Sequence, residues 1–159
     1  MPDSERVRRD LVRLLQMAYS GEKAAALAYQ GHARSLSDPA QKKAVLEIEQ
    51  DEWVHRRMVG ALLAKLSAGP SRVREIRAAI VGHTLSFLCA WSGWFLPMFF
   101  AGKLETKNVR EYDRAADWAR QIGLADFLPD LAEMAQVEVR HEKFFLEIVG
   151  RKVPARMTR

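Results

Sequence analysis

The chain has 159 residues, 48% of them apolar, a formal net charge of +5 and one cysteine, Cys89. This excludes a disordered chain, a disulfide framework and a cysteine-based zinc site, and the length predicts a single domain over 1–159. The basic excess lies at the ends: Arg6, Arg8, Arg9 and Arg13 outnumber Asp3, Glu5 and Asp10 in 1–13, and 151–159 holds Arg151, Lys152, Arg156 and Arg159 with no acid. Both ends read as solvated basic tails, the body between them is neutral, and no nucleic-acid partner is expected. The opening MPDSERVRRD carries charges where a leader needs apolar residues, so the expected location is cytoplasmic.

The periodicity is helical almost throughout. A first helix is predicted from about Ser4 to Leu36, with an apolar stripe of Leu11, Leu15, Ala18, Ala25 and Tyr29. Ser37-Asp38-Pro39 stops it and starts the next, Asp38 as N-cap and Pro39 at the first helical position. The second helix runs from Pro39 to Leu66 and ends at Ser67-Ala68-Gly69-Pro70. A long apolar connection follows, and residues 78–102 contain no Asp, Glu, Lys or Arg. That length could span a bilayer, but Gly82, His83, Ser86, Ser92, Gly93 and Pro97 make a poor span. A crossover helix that breaks at Ser92-Gly93 is predicted instead, with Pro97 starting the third bundle helix. The aromatic surplus of Trp91, Trp94, Phe95, Phe99 and Phe100 is expected in the core or in a homodimer interface through 85–100, with peripheral membrane contact as the alternative. The third helix ends near Gly123, and the fourth runs from Asp126 to Val149 with Pro129 in its first turn. The expected fold is all-α: a four-helix bundle of two antiparallel hairpins joined by a long apolar crossover helix.

Ionisable residues interrupt three of the apolar stripes. Glu22 lies in the first. Glu52 and His55 lie among Val45, Ile48, Val59, Leu62 and Leu66, and Glu138 and His141 among Leu131, Met134, Phe145 and Ile148. Both pairs read Glu-x-x-His, which puts a carboxylate and an imidazole on one helix face. The arrangement repeats by hairpin: Glu22 precedes Glu52 by 30 residues, Glu105 precedes Glu138 by 33, and Tyr29 and Tyr112 each follow the upstream glutamate by seven. At ~1.5 Å rise per residue, antiparallel packing brings each upstream glutamate level with its Glu-x-x-His. Four carboxylates and two neutral imidazoles balance two divalent cations, which is the ligand set of di-iron and di-manganese bundles. Without metal, the same residues would have to be satisfied core polar groups.

Glu111 also lies on an apolar stripe, with Leu104, Ala115, Trp118 and Ile122, and is the alternative to Glu105. His32 and His83 read as structural or solvated and Cys89 as an inert buried thiol. Tyr29 and Tyr112 read as outer donors or core, and Glu47, Glu49, Glu133, Glu142 and Glu147 as solvated.

YSGEKAAALAYQGHARSL, with a glutamate after a glycine and then a Tyr-x-Gly step, resembles the first ligand helix of the demethoxyubiquinone hydroxylase branch of the ferritin-like di-iron proteins. DEWVHRRM is similar to that family's second ligand segment, the apolar stretch ending in AGKLE to the segment before its third ligand, and QVEVRHEKF to its last Glu-x-x-His. The resemblance implies a ferritin-like fold, two iron ions and the ligands Glu22, Glu52, His55, Glu105, Glu138 and His141. It also implies O₂-dependent hydroxylation of a hydrophobic, quinone-like substrate at the inner membrane surface. The chain departs from the family at Lys23, where an aromatic is usual, and around Glu105, which lacks paired glutamates. Manganese in place of iron, a ferritin- or rubrerythrin-like iron oxidase or peroxidase, a tRNA-modifying hydroxylase and a non-catalytic bundle are the alternatives.

Overall fold

The structure is a computed structural model that describes residues 2–152, with side chains over 3–150. Among the described residues it is all-α, without strands. The helices are α1 (Pro2–Ser35), α2 (Pro39–Lys65), α3 (Arg72–Trp91), α4 (Phe95–Gln121) and α5 (Leu128–Lys152), and a 3-10 turn, Ala125–Phe127, precedes α5. The all-helical class read from the periodicity is observed.

Local chemistry sets the breaks. Asp38 caps α2, its Oδ1 accepting from the amides of Ala40 at 2.9 Å and Gln41 at 3.3 Å, a contact worth about 1 kcal/mol. Gly93 and Gly123 adopt φ of +73° and +75°, left-handed values that let the chain turn after α3 and α4. α4 begins at Phe95, two residues before Pro97. Proline is tolerated in a first turn, whose amides have no partner within the helix.

The ends correct one expectation. Residues 1–13 are not a tail as far as they are described: α1 starts at Pro2, Leu11 is fully buried, and Arg8 Nη2 donates to the Leu66 carbonyl at 2.8 Å. The basic segment 151–159 lies outside the described side chains.

α1 pairs with α2, α4 pairs with α5, and α1 also faces α4, while α2 and α5 approach each other less closely. α3 lies along the outside of α1. Glycines allow that approach: a Cβ on Gly31 would fall 2.0 Å from the Ser86 carbonyl oxygen, and one on Gly82 would fall 2.9 Å from Leu27 Cβ. A charged staple fixes the start of α3. Glu75 accepts from Arg56 Nη2 at 2.6 Å and Ser20 Oγ at 2.7 Å, with Lys23 Nζ at 3.5 Å. Lys23, the departure from the family pattern, thus serves the α1–α3 contact. The guanidinium and Ser20 hold the Glu75 carboxyl below its ordinary range against the opposing effect of burial.

Trp94, Phe95 and Phe99 are half-buried against the interior around Met98 and Phe145, but the rest of the aromatic connection is not core. Trp91 is 79% exposed and Phe100 61%, and Ile76, Ile80, Phe87 and Leu88 are exposed on α3 as well. The physical reason is that, among the described residues, α3 packs chiefly on α1, with the Glu75–Arg56 pair reaching α2, so its other faces are left uncovered. No helix of the described residues is long and apolar enough to cross a membrane.

Two apolar clusters fill the interior. One gathers Leu11, Leu15, Val59, Leu62, Phe127, Leu131 and Met134. The other gathers Ala25, Ala33, Val45, Ile48, Met98 and Phe145. In the sequence of every paired helix, the ionisable residues fall between the contributions to the two clusters, so the centre is a polar layer between dry layers.

Candidate metal centre

α1 brings Glu22 to this layer, α2 brings Glu52 and His55, α4 brings Glu105, and α5 brings Glu138 and His141. All six are at most 4% exposed. The i, i+3 spacing directs each carboxylate and its imidazole inward together. Two overlapping groups result: Glu22, Glu52, His55 and Glu138, then Glu52, Glu105, Glu138 and His141. Within each, one donor atom per residue lies within 4.8 Å of all the others. Glu52 and Glu138 belong to both. Glu105, rather than Glu111, enters the cluster. Glu111 is only partly buried and pairs with Lys107 Nζ at 2.7 Å.

The donor atoms point at one another without satisfying one another. Oε2 of Glu22, both oxygens of Glu52 and of Glu138, and Nδ1 of both imidazoles are buried without a hydrogen-bond partner. His55 Nδ1 lies 3.0 Å from Glu138 Oε1, outside hydrogen-bond alignment. His141 Nδ1 lies 3.6 Å from Glu52 and 3.7 Å from Glu138. Buried polar atoms are normally paired, and leaving one unpaired costs roughly 1–3 kcal/mol. A set of inward-facing carboxylates and imidazoles that do not bond one another is what a pair of divalent cations would complete.

Electrostatics agree. Burial, together with repulsion from neighbouring carboxylates, raises the carboxyls of Glu22, Glu52 and Glu105 above their ordinary range. Burial also acts to raise Glu138, but the facing Glu105 carboxyl and the imidazoles of His141 and His55 outweigh it and lower that group. Burial would lower His55, and the carboxylates of Glu138 and Glu22 reverse the sign.

The tyrosines act across hairpins. Tyr29 OH donates to Glu105 Oε1, and Tyr112 OH donates to Glu22 Oε1. Tyr112 leaves Oε2 of Glu22 without a partner, whereas Oε2 of Glu105 has one besides the tyrosine. Both phenols are pushed well above their ordinary value by burial and by the facing carboxylates, so they remain donors.

Two outer residues, Asp51 and Asn108, had no place in the sequence reading. Asp51 Oδ2 accepts from His141 Nε2 at 3.0 Å, which fixes the tautomer and leaves Nδ1 to face the carboxylates. Asn108 Nδ2 donates to Glu105 Oε2 at 3.3 Å, and its i+3 spacing from Glu105 was the available signal. Glu49, expected to be solvated, is 5% exposed and accepts from Gln30, Gln50 and Trp53 Nε1, because α1 covers that face of α2. Glu142, also expected in solvent, is half-buried and accepts from Thr106 Oγ1.

The remaining histidines divide. His83 is exposed, and His32 is buried beside Phe145 with both ring nitrogens unpartnered. Burial lowers His32 to about 4. Cys89 is half-buried rather than buried, since it lies on the loosely covered α3, and partial burial raises its thiol.

No curated protein and no solved structure matches the chain. The sequence model of the family described as ubiquinone biosynthesis protein COQ7 matches residues 9–158, nearly the whole chain and every residue of the cluster. With a buried Glu/His layer able to hold metal and a match of that extent, the chain belongs to the COQ7 family of ubiquinone-biosynthesis hydroxylases, a ferritin-like di-iron family.

Proposed function

We propose that this single domain is a ferritin-like four-helix di-iron hydroxylase that uses O₂ to hydroxylate a hydrophobic, quinone-like aromatic. The observation that carries the reading is the pair of four-residue donor groups sharing Glu52 and Glu138, with their buried oxygens and Nδ1 atoms unpartnered. One ion would be held by Glu22, Glu52, His55 and Glu138, the other by Glu52, Glu105, Glu138 and His141. Manganese suits the same donors, and the family match favours iron.

When bound, the iron pair supplies the electrons that activate O₂. The protein's part is to hold that chemistry in a dry layer. The apolar clusters on either side exclude water. Tyr29 and Tyr112 fix the two terminal glutamates, and Asp51 fixes the His141 ring. The exposed apolar face of α3, which ends in Trp91, supports peripheral contact with a membrane surface, where such a substrate would partition. A homodimer through 85–100 would cover the same face.

The test is anaerobic loading with Fe(II), followed by a reductant, a demethoxyquinone analogue and isotopically labelled O₂. The reading predicts a product carrying one labelled oxygen. Consumption of O₂ with iron oxidation but no labelled product would favour an iron oxidase instead.

A further inference from the structure

A cavity of about 80 Å³ opens between α1 and α4, with Gly21, Glu22, Lys107, Asn108 and Glu111 among its lining residues. It has room for on the order of five waters and is too small for a substituted aromatic ring. Glu22 lines it while 2% exposed, with Oε1 occupied by Tyr112 and Oε2 buried without a partner. Its lining holds a second carboxylate, Glu111, outside the donor groups of the buried layer. Asn108 connects the lining to the centre through its bond to Glu105. The Glu111 partner is Lys107 Nζ at 2.7 Å, on a side chain 59% exposed that can swing into water.

We propose that this cavity is the port through which divalent metal ions reach the centre, with Glu111 capturing the ion and passing it to Glu22. The inference rests on the metal-centre reading above. A partly hydrated cation fits the volume, and the carboxylates of Glu111 and Glu22 attract it. The opposing charge is the Lys107 ammonium, which the arriving ion displaces from Glu111. Glu111 is thus a capture residue, which explains an acid on an apolar stripe that does not join the buried layer.

The test is stopped-flow uptake of cobalt(II) by the metal-free full-length chain, read by the absorption of the bound ion, with equilibrium stoichiometry measured alongside. Glu111→Gln is expected to slow uptake about fivefold and Lys107→Gln to speed it about threefold, both with two ions bound at saturation. Gly21→Leu is expected to slow uptake more than about tenfold. Gly21 lines the cavity, a Cβ there meets nothing within 4 Å, and leucine favours helix over glycine. Glu133→Gln, an exposed neutralisation on α5, is expected to leave the rate unchanged. Two bound ions with rates insensitive to both charge changes, or to Gly21→Leu, would overturn the port and leave the centre standing. A wild-type chain that binds no cobalt at saturation would overturn the centre and the port together.

Discussion

In the α1–α2 hairpin Glu22 is followed by Tyr29, in the α4–α5 hairpin Glu105 is followed by Tyr112, and each tyrosine donates to the glutamate of the other hairpin. The two histidines lack that symmetry. His141 backs onto Asp51, whose side chain is 47% exposed, at 3.0 Å. His55 has no hydrogen-bond partner behind it and is positioned by packing, its ring edge-on to Tyr112 with centroids 6.1 Å apart. The inner layer is alike in both hairpins: each supplies two carboxylates and one imidazole, and the four carboxylates together match the charge of two divalent cations. The outer layer depends on what each ring meets on its far side: His141 of α5 reaches Asp51 on α2, and His55 of α2 meets no such acceptor. Equivalent ligands in inequivalent surroundings should give two ions of different affinity.

Glu52 and Glu138 test the shared part of the centre and carry the largest expected effect. At metal concentrations about 100-fold above Kd, each bound ion should stabilise the wild type by about 2.7 kcal/mol. Glu52→Ala should lose that gain at both sites, whereas Glu22→Ala should lose it at one. Thermal melts with and without metal make the comparison, and a Glu52→Ala chain that still gains stability from metal would break the shared-ligand arrangement.

His32 shows what a buried imidazole does with neither metal nor carboxylate. Its folded-state value of about 4 lies below the ordinary 6.5, so the unfolded chain takes up the proton first. The stability tied to neutral His32 is complete above about pH 6.5 and is lost as pH falls towards 4, by about 3 kcal/mol. His32→Leu should remove that part of the pH dependence, measured by denaturant titrations at pH 7 and pH 4.

Asp51→Ala probes the asymmetry directly. It should weaken the His141 site by roughly 10- to 100-fold while leaving the His55 site unchanged, so that the two unequal steps of the wild-type titration draw together. Equal weakening of both sites would remove the proposed inequivalence. The smallest effect is expected from the tyrosines. Tyr29→Phe and Tyr112→Phe should each cost about 1 kcal/mol of metal-free stability, and by similar amounts if the reciprocal arrangement holds.

The inner layer was legible in the sequence because helix period and ligand geometry coincide. A glutamate three residues before a histidine in an apolar stripe has one place to point, and the hairpin repeat singled out Glu105 over Glu111. Asp38-Pro39 and Gly123 announced their turns through backbone chemistry alone. What escaped depended on neighbours distant in sequence. Asp51 lies off the stripe, and its partner is 90 residues away. Glu49 is buried only because Gln30 and Trp53 enclose it. The apolar run through α3 looked like core by composition, yet composition does not reveal that chiefly α1 would pack on it. The charged start of α1 read as a tail because the carbonyl that Arg8 meets, that of Leu66, lies 58 residues away in sequence.

The central claim is that the unpartnered Glu/His layer holds two metal ions through two shared carboxylates. Anaerobic Fe(II) titration of the metal-free chain, with bound iron measured by elemental analysis after gel filtration, tests it most directly. The account predicts two irons per wild-type chain and none in Glu52→Ala. A wild type that retains no iron, or a Glu52→Ala chain that retains as much as the wild type, would contradict it.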